Sequence, residues 1–304
     1  MSQPALTETI IQSLGLENDS KQHKPPPAVS PPLHKHEDSE PFNEKWHNRS
    51  LIGMLTYLAR NTRPDIEYAV HQCARFQCNP RKPHGNAIKC IGRYLIGTRD
   101  KGLTFKPTKD LSHFECYVDA DFAGNYTKTN SEDPNSVKSR TGCVIKYAGC
   151  PITWFSRLQT EIALSTTEAE YIALSTAARE VLPLRELILE IKQILNIPGA
   201  KLQISCTLFE DNKGAEELAK VPKNRPGTKH IAVKYHHFRQ AVKDDILQVK
   251  RIATDEQLAD IFTKPLVKMP LEHLRKQIMG WPAMLSHGNV DQKTFEAYVA
   301  CSMK

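Results

Sequence analysis

The sequence predicts an α/β fold: a mixed five-stranded sheet flanked by helices and preceded by a small helical module. Two observations support this prediction. Between residues 46 and 97 the apolar side chains recur at intervals of three and four, the spacing of helices that bury one face. After residue 102 the patterns run strand, strand, strand, helix, strand, helix, helix, strand, helix, which favours a layered α/β domain. A length of 304 residues is enough for one large core and a smaller unit.

Composition divides the chain into four segments, with boundaries at 1–45, 46–101, 102–265 and 266–304. The first combines a short apolar helix at 4–14 with a proline-rich polar stretch that is typical of an extended linker. The second is the helical module, in which Arg63-Pro64-Asp65 ends the first helix because proline pushes the preceding residue out of the α region. The third is the sheet domain, and the fourth adds an amphipathic helix, to about residue 281, and a tail.

The helical module carries many basic side chains that we expect to be exposed. They are Arg60, Arg63, Arg75, Arg81, Lys82, Lys89, Arg93 and Arg99. Two interpretations stay open: a surface that follows a nucleic-acid backbone, or ordinary solvated helix faces. The net charge of +7 and the pI near 8.9 favour an anionic partner without deciding between them.

The sequence does not indicate a membrane protein or a secreted protein. No basic N-terminal segment precedes an apolar run, and no apolar stretch approaches the roughly 20 residues of a membrane span. The eight cysteines form no Cys-x-x-Cys pair and are expected to be free thiols in a reducing compartment. We therefore expect a soluble intracellular protein that is not secreted and has no membrane partner.

Strand patterns begin after Gly102. Apolar or alternating runs occupy residues 103–105, 114–119, 142–147, 152–155, 204–209 and 246–252. A long polar loop separates the second run from the third. Asp119 ends the run that begins at Phe114, and Asp211 follows the run that ends at Phe209. Both carboxylates are therefore expected at strand ends.

Helix starts supply two further acidic residues. Ser165-Thr166-Thr167-Glu168 matches a capping box, which gives its glutamate a structural role and leaves Glu170 to face the strand ends. This helix is expected to continue past Pro183. Residues 255–260 have an acidic first turn and are expected to open the last helix of the domain, with Asp260 on it. Between them, a further helix is expected to carry His230, His236, His237 and Phe238.

Four acidic residues are thus candidates for one site: Asp119, Glu170, Asp211 and Asp260. In mixed α/β sheets, ligands gather at strand ends and helix starts, where all four are expected. Four carboxylates in one cleft repel one another unless cations neutralise them. Mg²⁺ suits such a set, with Mn²⁺ as the alternative, because it binds a few carboxylates and keeps positions for water and phosphate. Two ions roughly 4 Å apart would serve phosphodiester hydrolysis.

Several motifs occur in a characteristic order. They are Tyr117-Val-Asp-Ala-Asp-Phe-Ala-Gly124, Lys138-Ser-Arg-Thr-Gly142, Trp154 with Gln159, Ser165-Thr-Thr-Glu-Ala-Glu-Tyr171, Glu210-Asp-Asn212, Thr228-Lys-His-Ile231 and Leu258-Ala-Asp-Ile-Phe-Thr-Lys-Pro-Leu266. Together they resemble the ribonuclease H domain of copia-type retrotransposon Pol polyproteins. Upstream, Thr62-Arg-Pro-Asp-Ile66 and Gly92-Arg-Tyr-Leu95 resemble the segment that joins the reverse transcriptase to that domain. The resemblance covers roughly residues 1–281.

This resemblance implies a ribonuclease H-like fold and two-metal hydrolysis of the RNA strand in an RNA:DNA hybrid. It implies that Asp119 bridges both ions, that Asp260 supports the ion activating water, and that Glu170 and Asp211 hold the ion at the leaving group. Discrimination would come from backbone and 2′-hydroxyl contacts. Substrate contacts are expected at Ser139, Arg140, Thr141, Gln159, Lys229 and His230. The expected partners are the hybrid and the rest of the Pol polyprotein, in the cytoplasm or in virus-like particles.

Two features depart from the family pattern. Many ribonucleases H carry a histidine shortly before the last aspartate, whereas residues 250–254 contain none. Any histidine assistance would have to come from His230 or His237. In addition, no pair of aspartates stands on an apolar hairpin of the kind a polymerase needs, so we expect no nucleotide incorporation. Residues 1–45 would then be the end of a polymerase thumb.

Three other functions are alternatives to the nuclease. A catalytically inactive, nucleic-acid-binding transposon remnant would have the fold without the activity, but all four acids are present. An integrase-like strand transferase would need its glutamate on a late helix, whereas Glu170 comes second in the order of the acids. A zinc site would have irregular ligand spacings and would be built from Cys143, Cys150, His236 and His237.

Overall fold

The computed structural model of the protein describes residues 1–19, 32–195, 204–220 and 233–281. The chain forms two compact units. Unit 1 comprises Met1–Thr104, Gly124–Val137 and Lys264–Lys304, and unit 2 comprises Phe105–Ala123 and Lys138–Thr263. The division into four segments by composition stays a prediction. No helix among the described residues has the length and apolar character needed to cross a bilayer.

Helices and strands are numbered in chain order. The helices are α1 Pro4–Ser13, α2 Asn48–Asn61, α3 Glu67–Ala74, α4 Lys82–Ile96, α5 Thr166–Ile194, α6 Lys213–Lys220, α7 Arg239–Lys243, α8 Asp260–Thr263 and α9 Lys268–Met279. The strands are β1 His113–Asp121, β2 Arg140–Tyr147, β3 Cys150–Leu158, β4 Ser205–Glu210 and β5 Leu247–Arg251. Short 3₁₀ turns occupy Pro64–Ile66, Lys128–Asn130, Val233–His236 and Thr254–Glu256.

Unit 1 has a helical core, as the apolar spacing predicted. The buried stripes of α1, α2, α3 and α4 meet in one cluster that includes Ile10, Leu55, Val70 and Ile91. Helix α2 ends at Asn61, just before the predicted proline break. The amphipathic helix expected near the end of the chain is α9, which stops at Gly280, a glycine in the left-handed conformation that commonly ends helices.

Exposure was predicted correctly for only some basic residues of the helical module: Arg60, Lys82 and Arg99 are exposed, Arg75, Arg81, Lys89 and Arg93 are half-buried, and Arg63 is buried. Arg63 is fully buried, and its Nε and Nη2 atoms each donate a hydrogen bond of 2.9 Å to the carboxylate of Asp65. The hydroxyl of Tyr94 also donates to Asp65, and Arg275 Nη1 donates to the Tyr94 oxygen at 2.9 Å. Asp65 is two residues from Arg63, but Tyr94 and Arg275 come from distant parts of the sequence, which local spacing does not reveal.

Unit 2 is built on a mixed five-stranded sheet in the order β3-β2-β1-β4-β5. Strands β3, β2 and β1 are antiparallel neighbours, whereas β4 and β5 run parallel to β1. Helices flank this sheet, so the predicted ribonuclease H-like fold class is confirmed. Strand β1 lies at the centre and carries the stretch that the sequence marked as the first candidate site.

The core of unit 2 lies between the sheet and α5. Alternate residues of β1, from Phe114 to Ala120, are buried on one face. Small residues of α5, including Ala173 and Ala177, are fully buried in the same cluster, which allows the helix to approach the strands closely. Helix α5 continues through Pro183, as predicted.

Three local predictions differ from the structure. Residues 103–105 form no strand. The amide of Leu103 donates to the carbonyl of Met1 and that of Thr104 to the carbonyl of Met279, and neither acceptor belongs to a strand. The helix expected to carry the histidines is interrupted: His236 ends a 3₁₀ turn, and α7 begins only at Arg239. The last helix of unit 2 starts at Asp260 after a separate 3₁₀ turn and is only four residues long. His230 lies outside the described residues.

Candidate active site

Two parallel strands bring the first two acids together. In the ladder between β1 and β4, Tyr117 lies opposite Phe209. Asp119 stands two residues further along β1, and Asp211 directly follows the end of β4. Because the carboxyl ends of parallel strands meet at the same edge, both side chains reach one place.

Helix α5 adds the third acid. One carboxylate oxygen from each of Asp119, Glu170 and Asp211 lies within 4.8 Å of the other two. Asp119 and Glu170 are buried, whereas Asp211 is half-buried and leaves the group open to solvent on its side. This arrangement is a compact set of hard oxygen donors.

The start of α5 is fixed by side-chain caps. Ser165 Oγ accepts a 3.1 Å hydrogen bond from the amide of Glu168, as the predicted capping box requires. The Glu168 carboxylate accepts from the amide of Leu164 at 2.7 Å, one residue before the cap. This small difference from the predicted box leaves Glu168 with a structural role. The first turn, and with it Glu170, is therefore held in place.

Asp260 is not part of the group of three. It is buried at the first position of α8, and its amide donates to the carbonyl of Gln257 at 3.2 Å. On the last residue of the same helix, the hydroxyl of Thr263 donates to Asp119 Oδ2. Helix α8 thus connects the fourth predicted acid to the first through Thr263.

Two residues that the sequence did not single out position α8. Gln257 is fully buried, and its amide donates to the carbonyls of Val118 and Phe209, at 2.8 and 3.3 Å. Gly142 pairs with Asp119 across the β1–β2 ladder. A Cβ atom at Gly142 would lie 2.7 Å from Thr263 Cγ2 and 2.8 Å from the carbonyl oxygen of Ala259. Only a glycine allows α8 to rest this close to β2.

Glu210 is a buried carboxyl that sequence reasoning also missed. It is fully buried at the end of β4, and its Oε1 accepts from the amide of Asn212 at 3.1 Å. Burial first, and then the charges of Asp211 and Asp119, raise the pKa of Glu210 well above its ordinary value. The only sequence signal was its position beside Asp211. Burial and the neighbouring acids thus favour the protonated form of this carboxyl.

The predicted substrate contacts are internal residues in the structure. Ser139, Arg140, Thr141 and Gln159 are all buried. Arg140 Nη1 donates to Ser156 Oγ at 3.0 Å, and Gln159 Nε2 donates to the Ala169 carbonyl at 2.8 Å and to Thr141 Oγ1 at 3.1 Å. Their role in substrate contact stays a prediction. Lys229 and His230 lie outside the described residues.

No zinc site forms from the predicted cysteines and histidines. Cys143 Sγ lies in the core, 3.5 Å from Cys116 Sγ, and His236 Nδ1 pairs with the Tyr171 hydroxyl at 2.8 Å. Within the ranges that the structure describes, Asp119, Glu170 and Asp211 are the only group of three or more possible ligands gathered closely enough for a metal ion. His237 lies near Ser175 of α5.

The donor set fits a divalent cation. Three carboxylates with oxygens within 4.8 Å of one another, two of them buried, repel strongly in the absence of positive charge. Carboxylate oxygens are the ligands that Mg²⁺ and Mn²⁺ prefer, and a partly open site leaves positions for water and phosphate. Asp119, Glu170 and Asp211 would hold such an ion.

Comparisons with known proteins agree with the resemblance seen in the sequence. No protein-family model matches the chain. The Pol polyprotein of transposon RE2 from Arabidopsis thaliana is 34% identical over 83% of this chain. That of transposon TNT 1-94 from Nicotiana tabacum is 38% identical over 76% of it. The chain spans 16% of the length of each of these relatives.

Among solved structures, the N-terminal RNase H domain of a Mycobacterium tuberculosis protein, determined as a fusion with maltose-binding protein, aligns with 14% identity and a TM-score of 0.33. The alignment covers 50% of this chain and 91% of that one. The sequence relatives, the order of the motifs and the strand order of unit 2 point to one family. The chain belongs to the copia-type retrotransposon Pol polyproteins and corresponds to one segment of them.

Proposed function

We propose that the chain is a ribonuclease H that hydrolyses the RNA strand of RNA:DNA hybrids with the help of two divalent metal ions. The observation that carries this proposal is the group of three carboxylate oxygens, from Asp119, Glu170 and Asp211, within 4.8 Å of one another. Membership of the Pol polyprotein family supports the same class of reaction.

Each acidic residue has a distinct task in this proposal. Asp119 would help to hold both ions, and Glu170 and Asp211 would help to hold the ion that serves the leaving group. Asp260 would support the ion that serves the attacking water. Bound ions would polarise the scissile phosphate and lower the pKa of the attacking water. The Thr263 hydroxyl orients the Asp119 carboxylate by donating to Oδ2.

The proposed substrate is an RNA:DNA hybrid. A ribonuclease H must distinguish the RNA strand, and the 2′-hydroxyl is the group that allows a protein to do so. The rest of a Pol polyprotein, with its reverse transcriptase, is the proposed partner. In this proposal the protein acts inside the cell, in the cytoplasm or in virus-like particles, and incorporates no nucleotides.

Cleavage of an end-labelled hybrid tests the proposal. The full chain is assayed with Mg²⁺, with Mn²⁺ and with a chelator, beside Asp119→Asn, whose fold is checked by circular dichroism. We expect fragments of the RNA strand with either metal, and none with the chelator or with the variant. Equal cleavage by Asp119→Asn would refute the assignment.

The same experiment distinguishes an active nuclease from the alternative, a catalytically inactive remnant. An inactive remnant would bind the hybrid in a salt-sensitive manner and release no RNA fragments under any condition. Binding by the wild type without cleavage in Mg²⁺ or Mn²⁺ would therefore favour that alternative over the nuclease.

A further inference from the structure

Helix α4 of unit 1 carries a row of basic side chains on one face. Lys82, Lys89 and Arg93 are seven and four positions apart, which places them within about 40° of one another around the helix axis and along about 17 Å of its length. The sequence of α4 contains no acidic residue. We call these three side chains, with Arg99 just beyond the helix, the basic row.

Acidic residues from the start of the chain cover the basic row. The four ion pairs are Lys82–Glu40 at 2.7 Å, Lys89–Glu44 at 2.8 Å, Arg93–Asp19 at 2.9 Å and Arg99–Glu8 at 3.5 Å. We call the four acids the acidic cover. Every one of them precedes α2, at least 42 positions away from its partner. The pairing is therefore a tertiary arrangement and does not arise within one helix.

Residues 32–46 of this covering segment are held by polar contacts and by Leu33 and Trp46, which pack in the core of unit 1. They contain no helix or strand, only an isolated bridge between Pro41 and Arg81. The amide of Lys82 donates to the carbonyl of Glu40 at 3.1 Å, and the Lys89 ammonium lies 5.1 Å from the centroid of the Trp46 ring. The side chain of Glu40 is 72% exposed. Its carboxylate can thus exchange with another anion without disturbing the core.

We infer that the basic row is a binding surface for the phosphodiester backbone of nucleic acid, and that the acidic cover competes with phosphate for it. The Lys82–Glu40 and Arg99–Glu8 pairs are exposed, whereas the Lys89–Glu44 and Arg93–Asp19 pairs are half-buried. Exposed ion pairs contribute little to stability, so exchanging the carboxylate for a phosphate has its smallest cost at the two exposed pairs. Duplex nucleic acid offers closely spaced phosphates and gains entropy by releasing counterions. This surface is separate from the proposed nuclease chemistry, which uses residues of unit 2.

Removing the acidic cover tests the inference. The variant Glu8→Gln, Asp19→Asn, Glu40→Gln, Glu44→Gln is made in the full chain, and binding to duplex DNA is measured in a chelator across a series of salt concentrations. Each freed cation that meets a phosphate steepens the slope of log affinity against log salt by about 0.9. We expect tighter binding at low salt and a slope steeper by about 3 to 4.

A matched control accounts for the change in net charge. Glu17, Glu37, Asp38 and Glu132 are exposed acids of unit 1; within the described ranges they form no ion pair. Converting all four to amides changes the net charge equally but frees no cation of the basic row. We expect this control to leave the slope nearly unchanged. Equal gains for the control and the test variant would overturn the inference.

A reversal completes the test. Adding Lys82→Gln, Lys89→Gln, Arg93→Gln and Arg99→Gln to the test variant should abolish its gain. The single variant Glu40→Gln changes an exposed side chain, so folding is preserved, and it should steepen the slope by somewhat less than 1. A gain measured on phosphatidylserine vesicles but not on DNA would contradict the assigned partner. Because the assay uses a chelator, its outcome does not depend on nuclease activity.

Discussion

Gly142 is the position where the smallest change should most disturb the candidate site. In Gly142→Ala the new Cβ atom would lie 2.7–2.9 Å from atoms of α8 and the residue before it, where ordinary contact begins near 3.4 Å. Helix α8 must then recede by about half an ångström or more. Overpacking of this kind costs about 1–3 kcal/mol of stability. A shift of about 1 Å in a catalytic group lowers the rate by about a hundredfold, so we expect a loss of tenfold or more here.

Urea unfolding and hybrid cleavage measure the two effects. Gly53→Ala is the control, because a Cβ atom there meets nothing within 4 Å. In the middle of α2 this change should stabilise the protein by about 0.5–1 kcal/mol without affecting cleavage. If Gly142→Ala cleaved hybrid at the wild-type rate with unchanged stability, the close approach of α8 to β2 would not position the site.

Three further predictions concern single side chains. Thr263→Val removes the hydroxyl that donates to Asp119 and should slow cleavage about tenfold, whereas Thr263→Ser should retain the wild-type rate. Equal cleavage rates for Thr263→Val and the wild type would show that this hydrogen bond is dispensable. Burial, with the charges of neighbouring imidazoles, lowers the pKa of His36 to about 4. As the pH falls from about 6.5 to 4, the unfolded chain therefore gains a proton that the folded chain does not, and stability is lost. Asparagine tolerates the positive φ of 53° at this position, so His36→Asn should remove that part of the acid sensitivity without straining the backbone. Parallel curves of unfolding free energy against pH for the wild type and the variant would contradict the reasoning. Asp65→Asn leaves the Arg63 guanidinium buried without its anionic partner and should cost about 3–5 kcal/mol in urea unfolding, a loss below 1 kcal/mol being incompatible with this account.

The strand and helix patterns carried most of the information about the fold. The alternation around Asp119 and the apolar run before Asp211 predicted two strand ends, because side-chain period and burial are local properties. Residues 103–105 show the limit of this reasoning. Three residues with strand-like composition have no partner strand, and the amides of Leu103 and Thr104 donate to Met1 and Met279 instead.

The supporting residues of the candidate site could not be predicted in the same way. Thr263 and Asp119 are 144 positions apart, and Gln257 is 139 positions from Val118. Nothing in the local pattern of either residue indicates such a contact. The raised pKa of Glu210 could not be predicted from the local sequence either, because it arises from burial and from charges that come together only in the folded protein. Local sequence predicts where side chains stand along an element, and tertiary packing decides what they meet.

The same limit applies to the basic residues of unit 1. Lys89 and Arg93 were predicted to be exposed, but both are half-buried on one face of α4. Local sequence did not indicate that Glu44 and Asp19 would pair with them.

Binding of Mn²⁺ to the free protein, followed by electron paramagnetic resonance, tests the central claim most directly. Asp119→Asn is compared with Asp121→Asn, which removes the same charge from the same strand. The account predicts saturable binding by the wild type, a loss of affinity of tenfold or more in Asp119→Asn, and little change in Asp121→Asn. Equal affinity in all three proteins would show that the group of Asp119, Glu170 and Asp211 is not a metal site.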